Sequence, residues 1–496
     1  MFKYLFIILI SVSLLAEAQE STDTTVRITL SLRNVIGLAV TQSSAVKYSQ
    51  NRNVNYYWRW RNFKTSSMPQ LTISGDLPEY VHRSDVAVQQ DDGSIKFRKV
   101  SQIEMNSTLA LSQTLPFTNS YIYAASSVKR LQDFINTTTN YSGPPFSIGL
   151  HQPLFALNWM KWNKKTEPLI YEEAQKEFIE SVEEISFEAT NRFFRYLQIQ
   201  TNHNLAESNL KNSEDNLRIA EVKRKIGDIS ENDFSRITLS VLNAQKALNK
   251  AKMDLKNADF ELKSYVGLDP TMKIELVMPL EMYLFEVDVN KALQEARENR
   301  KETPYLKRRV IEAERDLIQA KKAGGLNIAL NASYGLSKSA DEYFGIFDEP
   351  EKSRQFGLTV NVPIMDWGRS ESRIKMAESR RDLVLYDVER EKTNFERGIV
   401  VEVEQFNLLR DQINTAKEAD KVAENGYQIS LKKFQNGEIS ITDLNISLSE
   451  RESAKRDYIS SLERYWESYY YLRILTLYDF EMQSKISVDN PMLSGD

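Results

Sequence analysis

A chain that contains itself twice has few folds open to it, because each copy must build the same unit and pack against the other. Here Gly227-Asp228-Ile229-Ser230-Glu231-Asn232-Asp233-Phe234 recurs as Gly437-Glu438-Ile439-Ser440-Ile441-Thr442-Asp443-Leu444, an offset of 210 residues. The same offset carries Pro153-Leu154 onto Pro363-Ile364. Between these anchors it lays Phe178 on Val388, Ile185 on Phe395, Phe193 on Val403, Tyr196 on Phe406 and Ile199 on Leu409. A register kept over this distance makes the two halves structural duplicates.

Between each Pro and each Gly lie 74 residue steps. Apolar side chains at Ala174, Phe178, Val182, Ile185, Ala189, Phe193 and Leu197 return every three or four residues, the period of a helix. A continuous helix from Leu169 to Ile226 would run ~86 Å at about 1.5 Å per residue, longer than an ordinary globular core. Gly227 and Gly437 stop it, since glycine accepts the left-handed conformation that ends a helix. Ser230 and Ser440 then cap return helices, roughly Ser230 to Tyr265 and Ser440 to Leu477. Two shorter helical stretches are expected at Arg27 to Lys64 and Val287 to Lys322.

After each shorter stretch the period changes to two. Ile328, Leu330, Ala332, Tyr334 and Leu336 alternate with small or polar residues from Leu326 to Ser337, and Phe356, Leu358, Val360 and Val362 do so from Gln355. Alternating strands of about ten residues are what a transmembrane barrel needs, with lipid on one side and water on the other. The acidic segment Ala340 to Pro350 would be the external loop. The first half carries a matching pair, Gln70 to Leu77 and Phe146 to Leu150, but with 47 additional residues before its proline. This insertion contains a further hairpin, Asn106 to Thr114 and Ser120 to Ser127, which either extends the barrel or decorates its mouth. Four strands cannot close a pore, so several copies must share one barrel.

The N-terminus reads as a targeting segment: Lys3, an apolar core from Tyr4 to Leu15, and Ala16-Glu17-Ala18 before Gln19. No later run supplies the ~20 apolar residues of a spanning helix. A formal charge of −5 on 496 residues points away from nucleic acid, and the absence of cysteine removes disulfides and thiolate metal sites. No catalytic, cofactor or metal constellation emerges. His82, His151 and His203 are isolated, Gly324-Gly325 lacks the rest of a phosphate loop, and the 12 methionines form no thioether path. Tyr465, Trp466, Tyr469, Tyr470 and Tyr471 read as packing. The chain is not expected to be an enzyme.

With these features in hand, the chain resembles the TolC-like outer-membrane efflux protein family over nearly its whole length. The resemblance rests on Gln152-Pro153-Leu154-Phe155, on Val362-Pro363-Ile364-Met365-Asp366-Trp367-Gly368-Arg369, and on the two glycine turns with their downstream aspartates. It implies an α+β membrane protein, its duplicated strand-helix-turn-helix units forming a shared trimeric β-barrel of twelve strands in the outer membrane above a long periplasmic α-helical barrel. The implied layout is a signal peptide at 1–18, a first repeat at 19–268 (strands about 70–150, helical hairpin about 153–265), a second at 269–480 (strands about 326–362, hairpin about 366–478) and a tail at 481–496. The implied function is the exit duct of a tripartite efflux pump or type I secretion system, a homotrimer in outer-membrane lipid that meets a periplasmic adaptor and, through it, an inner-membrane pump.

The resemblance also assigns positions. Gly227, Asp228, Ile229 and Ser230, with Gly437, Glu438, Ile439 and Ser440, would form adaptor-contacting tips. Asp443 and Asp233 match positions at the closed aperture, although both also suit a helix N-terminus. Where the family's best-known latch has a second aspartate this chain has Ile446, where it has an arginine Ile439, and where it has a tyrosine Phe434. Closure would then be apolar, at Ile439 and Ile446, or ionic through Arg224, Lys225 or Arg236. The competing readings are a periplasmic adaptor and a structural coiled-coil tether of the cell envelope.

Overall fold

The computed structural model describes residues 27–89, 91, 93–227, 229–279 and 284–493. The targeting segment, its end before Gln19, and Asp228 lie outside the described residues. In chain order the elements are β1 (Arg27–Leu30), α1 (Leu32–Gln42), α2 (Ser44–Thr65), β2 (Gln70–Gln89), β3 (Ile95–Thr114), β4 (Tyr121–Asp133), β5 (Thr138–Pro153), α3 (Trp159–Lys225), α4 (Glu231–Val266), β6 (Lys273–Leu276), α5 (Val289–Asn299), α6 (Glu302–Ala323), β7 (Asn327–Ala340), β8 (Glu351–Asn361), α7 (Arg369–Gln435) and α8 (Ile441–Thr476). A short pair, β9 (Tyr478–Asp479) and β10 (Ser484–Lys485), follows. Among the described residues no helix is long and apolar enough to cross a membrane.

The duplication is plain in the helices. α3 and α7 are each 67 residues long and α4 and α8 each 36. All four boundaries repeat at the sequence offset of 210. Local chemistry explains the limits. Gly227 and Gly437 sit at φ of 76° and 81°, where a side chain would clash with its own backbone. Ser230 and Ser440 accept hydrogen bonds from the amides of Asp233 and Asp443 at 3.1 and 3.2 Å, satisfying one free donor of each new helix. α3 begins ten residues before the expected Leu169, because Asn158 caps it at the Lys161 amide and the helix then runs through Pro168.

The two shorter stretches differ from expectation. Arg27–Leu30 is a strand, paired in parallel with Lys273–Leu276, and each stretch is two helices with an extended residue between them, Ser43 in one and Arg300 in the other. Burial of Leu30, Ile274 and Leu276 decides the strand, a contact between segments more than 240 residues apart that no local period reveals.

The chain divides into two compact units. The first holds the residues up to Ser43, Ala189–Met282 and Ala423–Ile459. In it Phe193 and Phe194 are fully buried, and Gln200 pins β6 by both donating to and accepting from the backbone of Leu276 at 2.9 Å. The second unit holds Ser44–Glu188, Tyr283–Val422 and the chain from Ser460. Phe406 stacks on Tyr465 at 5.3 Å and meets Phe285 at the same distance, so the aromatic run of α8 does pack. A second set of contacts there is ionic. Buried Arg300 pairs with Glu180 at 3.0 Å and Glu302 at 2.7 Å, and Arg473 forks onto Glu183 at 2.6 and 2.9 Å.

The second unit also contains the large sheet, antiparallel throughout, in the order β2-β3-β4-β5-β7-β8. The sheet thus holds the four strands of the two matching pairs and the two of the inserted hairpin, whose place the sequence left open. The hairpin of the insertion lies between the two strands of the first half's matching pair, and every strand runs beyond its alternating core at one end or both.

Candidate functional site

Two regions have the chemistry of a conduit. The first is the sheet. Reading the register across all six strands places Leu71, Leu111, Ala124, Ile148, Tyr334 and Arg354 in one row. The adjacent row is Gln70, Ser112, Tyr123, Gly149, Ser333 and Gln355, and the one on the other side is Thr72, Ala110, Ala125, Ser147, Gly335 and Ser353. Because side chains alternate between faces, the first row points one way and the other two point the opposite way. Apart from Arg354 on the edge strand, one face is thus apolar and the other is small and hydroxyl-rich. The apolar residues stand in the open: Ile73 is 78% exposed, Leu71 69% and Phe356 75%. Arg354, on the edge strand, lies over the Tyr334 ring at 5.9 Å. From Ile328 to Leu336 the apolar face of β7 rises about 26 Å along the strand at ~3.3 Å per residue. At a tilt of ~40° this is about 20 Å, close to the ~25 Å band of outer-membrane barrels.

On the polar face Tyr123 covers Gly149, where a Cβ would stand 2.2 Å from the phenol ring, so only glycine fits beneath it. His151 shares a 2.7 Å hydrogen bond with Asn331 on the same face. Among the described residues no group of three or more His, Cys, Asp or Glu side chains is placed to hold a metal.

The second region is the pair of helical tips, in the first unit. Ala220 and Ile237 from the α3–α4 hairpin meet Tyr427, Ile441 and Leu444 from the α7–α8 hairpin, with Ile229, Phe234 and Phe434 packed beside them. Both aspartates singled out by sequence engage the serine that caps their helix. Asp233 accepts from the Ser230 hydroxyl at 2.7 Å. Asp443 accepts from the Ser440 hydroxyl at 2.7 Å and the Ser440 amide at 3.0 Å, closing a reciprocal capping box. Those two bonds hold the exposed Asp443 carboxyl below the ordinary range. Arg224 is engaged by Glu231 at 2.8 Å and lies over the Phe234 ring, so the structure pairs it with neither aspartate. Ile439 is half-buried and Ile446 is exposed.

One property of the tips escaped the sequence reading. Val222, Ile226, Leu239 and Leu242 are exposed in the first hairpin, whereas the offset of 210 puts Lys432, Asn436, Ser449 and Glu452 at the same places in the second. Comparing the repeats for differences, as well as for likeness, would have found it. Along α7, Val401, Leu408, Val422 and Ile429 are exposed at multiples of seven residues, the spacing of an unfilled coiled-coil seam.

Glu463, on α8 in the second unit, has its pKa pushed up to about 7 by burial and then by the neighbouring charge of Glu467, against a weaker opposing effect of Arg464. The folded state therefore holds this proton where the unfolded chain has lost it, and stability falls as pH rises from about 4.5 to about 7. Glu463→Gln is expected to raise the melting midpoint at pH 8 and to leave it little changed near pH 4.5; thermal melts of both proteins across that range check this.

Residues 292–469 match the profile of a family described as outer membrane efflux protein. No curated protein matches the chain in sequence. Among solved structures, the fold is similar to the outer membrane channel CmeC of Campylobacter jejuni, at 12% identity and a TM-score of 0.64, over 93% of this chain and 88% of that one. It is similar to the outer membrane protein VceC of Vibrio cholerae, at 13% identity and a TM-score of 0.62, over 92% and 97%. The open-state outer membrane channel MtrE of Neisseria gonorrhoeae is alike too, at 12% identity and a TM-score of 0.59, over 92% and 90%. At such identities the likeness is one of fold. The resemblance drawn from the glycine turns and the strand-to-helix junctions is borne out.

Proposed function

We propose that this chain, which carries an outer membrane efflux protein domain at residues 292–469, is an outer-membrane channel that passes solutes from the periplasm to the exterior, as the exit duct of a tripartite efflux pump or type I secretion system. The observation that carries this reading is the two-faced sheet. A periplasmic adaptor or a coiled-coil tether has no use for a row of exposed leucine and isoleucine backed by a row of hydroxyls, whereas a barrel wall between lipid and water requires both.

The sheet ends on β2 and β8, and open edges are not tolerated in hydrocarbon. With an even number of antiparallel strands, β8 of one copy runs antiparallel to β2 of the next, so identical copies close a ring without a misfit. Three copies, as in the homotrimer of the resembling family, put the exposed seam of α7 against a neighbour. The helical hairpins would form the periplasmic barrel, and the glycine turns, with Asp228, Ile229, Ser230, Glu438 and Ser440, would face the adaptor. Purified protein in planar bilayers should conduct ions in steps of uniform size. Folded protein that inserts and leaves the bilayer insulating overturns the reading.

A threefold ring would draw three Asp443 carboxylates together and favour cations, most strongly at low salt. Asp443→Asn should then reduce cation selectivity several-fold in single-channel recordings. A pure capping role predicts instead a loss of about 1 kcal/mol in helix stability and unchanged selectivity, leaving Ile439 and Ile446 as the constriction.

A further inference from the structure

We propose that the inserted hairpin is part of the membrane wall, so that each copy spans the bilayer with six strands, its β3 and β4 facing lipid on one side and the aqueous lumen on the other. The inference rests on the channel reading above and specifies the partner of a surface that reading leaves open.

Three observations carry it. First, β3 and β4 stand between β2 and β5 in the sheet, paired to each other without a break and to both neighbours with bulges after Asp76, Arg83 and Ala125, so they are not an appendage that could be folded away from the wall. Second, β3 obeys the same two-face rule as β7. Ile103, Met105, Leu109 and Leu111, interrupted by Ser107, lie on the apolar face, with Leu109 and Leu111 47% and 46% exposed, and Glu104, Asn106, Thr108 and Ser112 lie on the other. Third, the charges of the hairpin lie together at one level, and from Asn106 to Val128 neither face carries one. Glu104 pairs with Lys129 at 2.6 Å on the polar face, while the first charged side chain on the apolar face of β4 is Arg130, level with Met105 and above the leucine rows. A hairpin decorating an aqueous mouth would have no reason to stay free of charge at the level where β5 and β7 present Ile148 and Tyr334, a row whose one charge is Arg354 on the edge strand β8. Hydrocarbon supplies that reason, since a charge at the bilayer midplane costs about 2–4 kcal/mol on a barrel strand.

In a ring of three copies the wall would hold eighteen strands rather than twelve. Barrel diameter grows roughly linearly with strand number, so the bore at membrane level would be about 1.5 times wider. Larger solutes would pass this segment, and selection by size would fall to the helical end.

The chain has no cysteine, which makes a single-cysteine scan direct. Bimane would be attached at Leu109, Ala110, Leu111 and Ser112 on β3, and at Leu330, Asn331, Ala332 and Ser333 on β7, in full-length protein reconstituted into phosphatidylcholine vesicles. Brominated acyl chains serve as the lipid-phase quencher and iodide as the aqueous one. The expected result is the same alternation on both strands: Leu109 and Leu111 quenched several-fold more by brominated lipid, Ala110 and Ser112 by iodide. Iodide quenching at all four β3 positions, with alternation retained on β7, would overturn the six-strand wall and leave the channel standing. Loss of alternation on β7 as well would overturn both. Matching melting midpoints for all variants establish that each is folded.

Discussion

Arg300→Ala is expected to be among the most damaging single substitutions in the protein, lowering stability by about 3–5 kcal/mol. Arg300 is buried, its guanidinium is shared between Glu180 and Glu302, and it donates to the carbonyl of Ile474. Glu180 is equally buried, and burial raises its pKa in spite of Arg300 and Lys301, so the pair gains little over an apolar contact. Removing one partner is another matter, because the remaining charge stays in low dielectric with only Lys301, at 3.3 Å, to answer it. The double replacement Arg300→Met with Glu180→Leu should recover most of the loss. Denaturant midpoints of the three proteins decide the point: a double variant as unstable as the single would show that the pair itself, and not the abandoned charge, sets the cost.

Ile148→Arg should be comparably severe, but only in a membrane. Ile148 lies on the apolar face of β5, in the row shared by Leu111 and Tyr334, and is 45% exposed. Arginine at that depth costs about 2–4 kcal/mol, roughly 30- to 1,000-fold in the equilibrium of insertion. The neighbouring Ser147 points to the opposite face, so Ser147→Arg should insert almost normally. Folding each variant into liposomes against urea measures the difference. Equal tolerance of arginine at both positions would show that neither face meets lipid.

What the sequence disclosed and what it concealed follow from the range of the interactions involved. Glycine stops and serine caps are local, and the duplication reports each twice, so the limits of α4 and α8 were legible to within about a residue. The two faces of β7 and β8 were legible because apolar and polar residues alternate there with period two. Strand order was not, since nothing local distinguishes a hairpin inside a sheet from one hanging from its rim. Strand lengths were underestimated where alternation stops; the stretch Glu79–Gln89 carries His82, Arg83 and Asp85 yet stays paired to β3. The pairing of Arg27–Leu30 with Lys273–Leu276 and the pairing of Arg300 with Glu180 join segments more than 100 residues apart and leave no local trace. At the tips the caps were foreseen, while the contrast between Val222 and Ile226 in one hairpin and Lys432 and Asn436 in the other emerged only when exposure was known.

The central claim is that copies of this chain share one membrane barrel through the edges of β2 and β8. Imaging the detergent-purified particle by electron microscopy tests it most directly. The account predicts a ring of three copies, with six strands from each in a single closed wall continued by helices; a particle containing one copy, or a ring in which β2 and β8 do not meet, would contradict it.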